Sequence, residues 1–478
     1  MSIRKKIVEG LFWSSIQNWG SQAGSFIIFI TLARLLTPSA LGLVALANLF
    51  IKFFQLVLAF GFIQKLIQKE DINDLEINTV FWTQICVGFF LTFSIFVTAD
   101  YIANGFQQPL LTPILQTLSF LFIIRAFSET QRGLLVRAFR FKAIAIRSLF
   151  SIIMSGIVGI LMAVNNYGVW SLVGQQLTYE ITGVLVLWKA SDWRPKLQFS
   201  VTDLRSFFSF GINILGYQLT QFFNQRTDSL LVGYFLGEVS LGYYTIAHRI
   251  LEVMSQLLIG TLNQIALPLF SRLQNDDLRF FDVYYTATQW TCLITFPMFL
   301  SVIIVSPELI VTVFGEKWLN VVPILEIISL AGIIRGITFF QRSAFVALGK
   351  PNLQFKLALI NSILNLIFCL IAIPWGISTI ALAYVLSDYV AFPLGQWMLS
   401  KLISLSWKHY LSNFLAPISC TFGMILVMIL SKNLLTINLE PYLRLIIISL
   451  IGGVTYIFSL IILFPVIFQQ IWSLIKLN

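Results

Sequence analysis

The sequence predicts an all-α membrane protein: about 14 transmembrane helices, built as two parallel six-helix repeats with two further helices appended. Three observations lead there. First, 58% of the 478 residues are hydrophobic, 11% are charged, and the mean hydropathy is +0.86. A soluble domain carries roughly a quarter charged residues. Second, the apolar residues gather in runs of the ~20 residues that cross a bilayer as a helix. Third, residues 113–136 (PILQTLSFLFIIRAFSETQRGLLV) and 323–346 (PILEIISLAGIIRGITFFQRSAFV) agree at ten of 24 positions, among them a mid-run arginine, Arg125 in one and Arg335 in the other. An arginine at membrane depth is costly unless it faces a polar cavity or a partner.

Taken in order, the predicted spans are 11–34, 41–63, 77–99, 113–136, 145–164, 167–188, 207–234, 240–263, 283–305, 320–347, 355–374, 377–400, 410–431 and 441–464. The first run is too long and too polar for a signal peptide, and no small-residue cleavage site follows it, so it reads as a retained span. The tail from Phe468 to Asn478 reads as a short amphipathic segment at the interface. Twenty of the lysines and arginines, Arg147 among them, fall on the connections of one side. Four fall on the other (Arg34, Lys317, Lys432, Arg444) and seven inside spans. That bias in short loops places both termini in the cytoplasm. The net charge of +10 is therefore a topology signal, and no nucleic-acid partner is expected. Cys86, Cys292, Cys369 and Cys420 lie in apolar runs without CxxC spacing. They read as small hydrophobes, and neither a metal site nor a cofactor is expected.

The repeat has a geometry. Residues 113–136 and 323–346 are spans four and ten. Spans two and eight correspond as well, through Leu36/Leu236, Leu41/Leu241, Gly42/Gly242 and Ala47/Ala247. The two copies are an even number of spans apart, so they run the same way through the membrane, about an axis along its normal. The domains are then 1–188, an N-lobe of spans one to six; 189–206, a cytoplasmic linker; 207–400, a C-lobe of spans seven to twelve; and 401–478, spans 13 and 14 with a short tail. A substrate site would lie between such lobes.

Polar stripes mark the candidate residues. Span four sets Arg125, Glu129 and Arg132 on one helical face. Arg125 falls ~18 Å from the outer end by the 1.5 Å rise per residue, and so lies mid-membrane. Span ten repeats Arg335 and Arg342 but has Phe339 where Glu129 stood. Arg125 can therefore pair within its own helix, whereas Arg335 needs a partner elsewhere. Span two carries Asn48, Lys52 and Gln55; span eight carries His248, Arg249, Glu252, Ser255 and Gln256; span one carries Gln17, Asn18 and Gln22; span seven carries Gln218, Gln221, Asn224, Gln225, Arg226 and Asp228. Such residues either tie helices together or line a wet cavity. Lys52, Arg125, Arg249 and Arg335 are the substrate-binding candidates, because a cavity holding them suits a phosphate or diphosphate. Asn18, Glu129, Arg226, Asp228, His248 and Glu252 are cavity or coupling candidates. Arg132 and Arg342 have the alternative of snorkelling to the cytoplasmic surface.

The blocks LARLLTPSALGLVALA (32–47), RAFRFKAIA (137–145), GVWSLVGQQL (168–177), WRPKLQF (193–199), DSLLVGYFLGEVSLGYYTIAHRI (228–250), LPLFSRL (267–273) and FGEKWLNVVPIL (314–325) resemble the Wzx-like polysaccharide and lipopolysaccharide exporters, of the colanic-acid exporter type. These belong to the multidrug/oligosaccharidyl-lipid/polysaccharide (MOP) flippase superfamily, whose fold is MATE-like. The resemblance implies fourteen helices in two lobes and alternating access to a cationic cavity. It also implies movement of an undecaprenyl-diphosphate-linked oligosaccharide across the bacterial plasma membrane. Its partners would be that anionic lipid-linked oligosaccharide, membrane lipids, and a polysaccharide polymerase and glycosyltransferases.

Two other functions compete. A cation-coupled multidrug extruder would share the architecture, but such proteins commonly use a carboxylate in their first helix, and span one has none. An enzyme that polymerises or ligates glycans would need a sizeable outward loop, and the outward loops are short, so the chain is not expected to be an enzyme. No GxxxxGK[ST] phosphate-binding loop exists for an ATP-driven pump.

Overall fold

The computed structural model describes residues 3–58, 60–403, 407–434 and 439–476; at 3–8, 11, 209, 210, 213, 217, 257–265, 407–409 and 471–476 it describes the backbone alone. The basic residues Arg4, Lys5, Lys6, Lys408 and Lys476 of the topology count thus lie outside the described side chains. The chain divides into two compact units, Met1–Thr245 and Ile246–Asn478.

The first unit holds α1 (Ile3–Leu35), α2 (Pro38–Leu58), the short α3 (Phe62–Gln68), α4 (Asp74–Gly105), α5 (Leu111–Arg137), α6 (Phe141–Val164), α7 (Trp170–Ala190), α8 (Val201–Phe235) and the start of α9 (Gly237–Leu273). The second continues through α10 (Asp277–Val313), α11 (Val322–Thr338), α12 (Gln341–Ala347), α13 (Pro351–Ala372), α14 (Ile377–Ser400), α15 (Trp407–Ser412), α16 (Leu415–Leu434), α17 (Pro441–Leu463) and α18 (Pro465–Lys476). Each of the fourteen expected spans falls on helical segments, and among the described residues ten segments are long and apolar enough to cross a membrane by length and composition.

Membrane residence shows in what the helices leave exposed. Phe89, Phe93 and Phe96 share one face of α4, and Ile446, Leu450, Val454 and Ile457 one face of α17; all are largely exposed. Apolar stripes of that extent are not tolerated on a soluble monomer; against lipid they cost nothing. The helix starts lie where polar caps stand. Asn73 accepts from the Glu76 amide at 2.8 Å while Glu76 accepts from the Asn73 amide, a reciprocal box that opens α4. Ser200 and Asp276 cap α8 and α10 through single bonds.

Several helices outrun their expected limits, α9 by ten residues at its end, and three further differences have a local cause. Span two stops at Leu58 rather than 63, because Gly61 turns the chain at φ +80 into α3. Span ten is not one helix: it breaks at Phe339–Phe340 between α11 and α12. There Thr338 bonds back to the Ile334 carbonyl, a contact that bends helices. Phe340 buries itself in a cluster with Phe270, Phe280 and Tyr284. The linker is also shorter than its polar composition suggests, since only residues 191–200 are non-helical. It is strapped to α4: Asn78 accepts from the Lys196 amide at 2.8 Å, Trp82 donates to the Lys196 carbonyl at 2.8 Å, and Thr79 accepts from the Ser200 amide at 3.0 Å.

The duplicated glycines of spans two and eight meet. A Cβ on Gly42 would sit 1.7 Å from the Glu238 carbonyl oxygen, and one on Gly242 would sit 2.2 Å from that of Pro38. Only glycine permits this crossing, and the contacts are reciprocal between copies. Ser39 donates to the Glu238 carboxylate across the same junction at 3.3 Å. In the second unit, the appended α16 and α17 are fastened to α10 by Lys432 to Glu308 at 3.2 Å and by the Tyr456 hydroxyl to the Leu293 carbonyl at 2.6 Å.

Candidate functional site

Three helices of the first unit line one cavity of about 460 Å³. From α2 come Lys52 and Gln55, nearly one turn apart; from α5 come Arg125 and Glu129, spaced i, i+4. From α8 come Gln218, Gln221, Gln225 and Arg226, a polar stripe along one side of a long helix. Leu56, Leu58 and Phe222 supply the apolar part of the wall. Three cations thus face one carboxylate, and that carboxylate is already engaged: Arg132 donates to Glu129 at 2.8 Å. The amides of the three α8 glutamines and Gln55 each offer donors and an acceptor. The cavity therefore combines net positive charge with neutral hydrogen-bonding groups.

Arg125 is not held as its own helix suggested. Its carboxylate partner is Glu180 on α7, not Glu129: Nε donates to Oε1 at 2.8 Å and Nη2 lies 2.7 Å from the same oxygen. The reason is reach: Glu129 lies close enough to Arg132 for a helical i, i+3 pair. Glu180 is buried, and its second oxygen accepts from Nη2 of Arg147 on α6 at 3.1 Å. Arg147 also donates to the Tyr179 hydroxyl at 3.2 Å. Its guanidinium fits because residue 183 is glycine, where a Cβ would come within 2.6 Å of Nε and Nη2. In the sequence Arg147 counted as a loop cation; in the structure it lies mostly buried between α6 and α7.

The other candidates separate into distinct settings. Asp228 is fully buried, accepting from the Tyr244 hydroxyl at 2.8 Å and from the Ser229 amide at 2.7 Å. Asn18 is exposed on α1 and is not among the residues that line the cavity; its neighbour Gln17 donates to Ser148 at 3.2 Å. His248, Arg249, Glu252 and Arg335 belong to the second unit. There Arg335 donates to the Tyr384 hydroxyl on α14 at 2.5 Å, and Asp388 and Glu252 act on it electrostatically. Asp388 accepts from the Asn361 side chain on α13 at 2.8 Å. Arg249 approaches Glu252 at 3.9 Å, and the His248 ring packs edge-on against Tyr384 at 5.3 Å between centroids. The expectation that Arg335 finds its partner on another helix holds.

Glu180, Arg147, Tyr384, Asp388 and Asn361 were not among the sequence candidates. A signal for two of them existed. Gly168 and Gly376 both open their helices at positive φ, 55 and 92, and Glu180 and Asp388 follow each at the same spacing. The sixth span of each repeat thus carries an acid at equivalent depth, behind the duplicated arginine.

A family model described as "Polysaccharide biosynthesis protein" matches residues 31–323, more than half of the chain. The chain belongs to this family. Within its reach lie α2, α5 and α8, and so all the residues that line the cavity. Teichuronic acid biosynthesis protein TuaB of Bacillus subtilis (strain 168) is 27% identical over 97% of both chains. Lipopolysaccharide biosynthesis protein WzxC of Escherichia coli (strain K12) is 22% identical over 87% of this chain and 86% of its own. The resemblance to Wzx-like exporters read from the sequence is borne out. Among solved structures, the lipid II flippase MurJ in an inward closed conformation superposes with a TM-score of 0.77, at 16% identity, over 95% of this chain and 99% of its own. That likeness shows the fold: a bundle of membrane-length helices arranged as in that flippase.

Proposed function

We propose that this chain is a flippase that carries a lipid-linked oligosaccharide across the membrane for the biosynthesis of a surface polysaccharide. The observation that carries the reading is the cavity of the first unit. Lys52, Arg125 and Arg226 give it a surplus of positive charge over Glu129, and four glutamines give it groups suited to sugar hydroxyls. Membership of a polysaccharide biosynthesis family supplies the substrate class, and a fold shared with a lipid flippase supplies the mode of action. The chain moves its substrate and leaves its bonds intact.

In this reading the lipid is undecaprenyl diphosphate, the membrane is the bacterial plasma membrane, and both termini are cytoplasmic, in line with the lysine and arginine bias. The repeats 1–188 and 207–400 are the lobes of an alternating-access cycle, joined by 189–206 and followed by 401–478. Glycosyltransferases supply the substrate and a polymerase consumes the product. Lys52, Arg125 and Arg226 receive the diphosphate. For Arg249 and Arg335 we propose a different use from Arg125: their charges are matched by Glu252 and Asp388, so they brace α9, α11 and α14 against one another.

A membrane potential opposes outward movement of an uncompensated anion by ~2.3 kcal/mol per charge per 100 mV. Transport is therefore coupled to an inward cation or to removal of product. Proteoliposomes loaded with a fluorescent undecaprenyl-diphosphate oligosaccharide, assayed by reduction of dye in the outer leaflet, test both points. The chain should speed translocation over empty vesicles, and an imposed pH, sodium or voltage gradient should change the rate. No acceleration under any condition would refute the flippase reading; equal rates under all gradients would refute the coupling alone.

A further inference from the structure

The cavity reading leaves one question of charge. Arg125 lines the cavity yet is also in contact with a buried carboxylate, and a one-to-one ion pair would contribute no net charge to an anion. The structure answers this with a third group. Glu180 is shared, one oxygen holding Nε and Nη2 of Arg125 and the other holding Arg147. Two guanidiniums on one carboxylate leave one positive charge over. Nη1 of Arg125, which Glu180 does not use, has no protein hydrogen-bond partner among the described residues. The guanidinium is thereby fixed by two nitrogens and offers the third.

We propose that Glu180 and Arg147 are positioning residues for Arg125: Glu180 orients its guanidinium towards an incoming phosphate oxygen, and Arg147 cancels the Glu180 charge so that Arg125 remains a net cation. This rests on the cationic-cavity reading. It is supported independently by the space made for Arg147. The glycine at 183, one turn beyond Glu180, leaves the volume that the guanidinium fills, and Tyr179 holds its other end through a hydrogen bond and a ring contact at 5.0 Å. A cation placed with that care behind a carboxylate has no contact with the cavity itself, so its effect there passes through Glu180.

The second unit provides the contrast within the molecule. Asp388 stands where Glu180 stands, but its helper from the neighbouring helix is the neutral Asn361. Arg335 bonds to Tyr384 rather than directly to the acid.

The inference predicts effects of opposite sign from two neighbouring substitutions, which a purely structural role would not give. The test uses the full-length chain in detergent, with farnesyl diphosphate as a soluble prenyl diphosphate probe and affinity read by thermophoresis. Arg147→Asn, which gives the first unit the composition of the second, should weaken binding roughly tenfold, the scale of a charge–charge interaction across about 12 Å at an effective dielectric constant of about 20. Glu180→Gln removes the nearer, negative charge while its amide oxygen can still accept from Arg125, and should tighten binding by at least a similar factor. Arg147→Lys, which keeps the charge, should restore most of what Arg147→Asn loses. If Arg147→Asn fails to fold, the sign of the Glu180→Gln effect still decides. Weaker binding in Glu180→Gln, or unchanged binding in Arg147→Asn, overturns the inference while leaving the cavity reading intact. Failure of the unaltered chain to bind farnesyl diphosphate overturns both.

Discussion

The duplicated arginines occupy equivalent places in the sequence and opposite situations in the structure. Arg125 sits at a cavity, clamped by an acid that a second arginine shares. Arg335 instead donates to the neutral Tyr384 hydroxyl, while Asn361 donates to Asp388 and Arg249 approaches Glu252. Duplication supplied both sites with a costly intramembrane charge. What differs is the partner: a neutral hydroxyl in one copy and, in the other, a carboxylate that a second arginine shares. In the reading proposed above, that sharing leaves Arg125 available to a ligand.

The sharpest way to break this comparison is to remove each arginine. Arg335→Ala removes a half-buried cation and the donor to the Tyr384 hydroxyl, and breaking a buried charge arrangement costs at most about 3–5 kcal/mol. The expected outcome is a large fall in thermal stability and in the amount recovered from membranes, partly reversed by adding Asp388→Asn. Were Arg335→Ala to accumulate normally but fail to bind farnesyl diphosphate, the two copies would share one role and the contrast would be lost.

Arg125→Ala should behave the other way round. Glu180 keeps Arg147, so the bundle survives, while loss of a charge-assisted contact to the ligand costs about 2–5 kcal/mol. Translocation in proteoliposomes should fall by at least about thirtyfold, with little change in melting temperature. A stability loss as large as that of Arg335→Ala would mean that Arg125 is a strut.

Gly183→Ala examines the slot. The new Cβ would lie 2.6 Å from Nε and Nη2 of Arg147, so the guanidinium must shift. Overpacking of this kind costs about 1–3 kcal/mol. Because the displaced group is the far end of a flexible side chain, the lower part of that range applies. Farnesyl diphosphate affinity should move in the direction of Arg147→Asn, by a smaller factor. Unchanged affinity with unchanged stability would show that Arg147 does not need its present position.

Much of this was legible in the sequence, for identifiable reasons. Bilayer length and binary composition locate helices well, since a span of ~20 apolar residues has few alternatives. All fourteen spans fall on helical segments, although span ten is split and helices such as α9 and α10 run well past their expected limits. Lys52 and Arg125 came forward because a charge inside an apolar run is conspicuous. Arg147 and Glu180 did not. Arg147 lies seven residues into α6, near enough to the predicted boundary to be counted with the loop. Glu180 looked like an isolated acid because its partners come from two other helices. Pairing across helices is a property of packing, and periodicity along one helix cannot report it. The same limit explains why helical spacing offers Arg125 a pair with Glu129 while packing gives it Glu180. The break at Phe339–Phe340 escaped notice because two phenylalanines look like good span residues; only the aromatic cluster that receives Phe340 reveals why the helix gives way there.

The smallest expected effect comes from the position where the copies differ outright, Glu129 in one and Phe339 in the other. Glu129 lines the cavity and accepts from Arg132, which is nearly half exposed, at 2.8 Å. An exposed i, i+3 pair contributes a few tenths of a kcal/mol to a helix at most. Glu129→Gln should therefore leave stability almost untouched. Its effect belongs to the cavity, where it removes the one carboxylate set against three cations. Farnesyl diphosphate should bind about two- to threefold more tightly, with the gain fading as ionic strength rises, because partly exposed charges are screened by salt. An acid that lowers affinity for an anionic substrate is useful to a transporter, which must release what it binds. If Glu129→Gln binds more weakly instead, Glu129 accepts hydrogen bonds from the ligand itself, and the cavity distinguishes sugar from phosphate by its acid as well as by its glutamines.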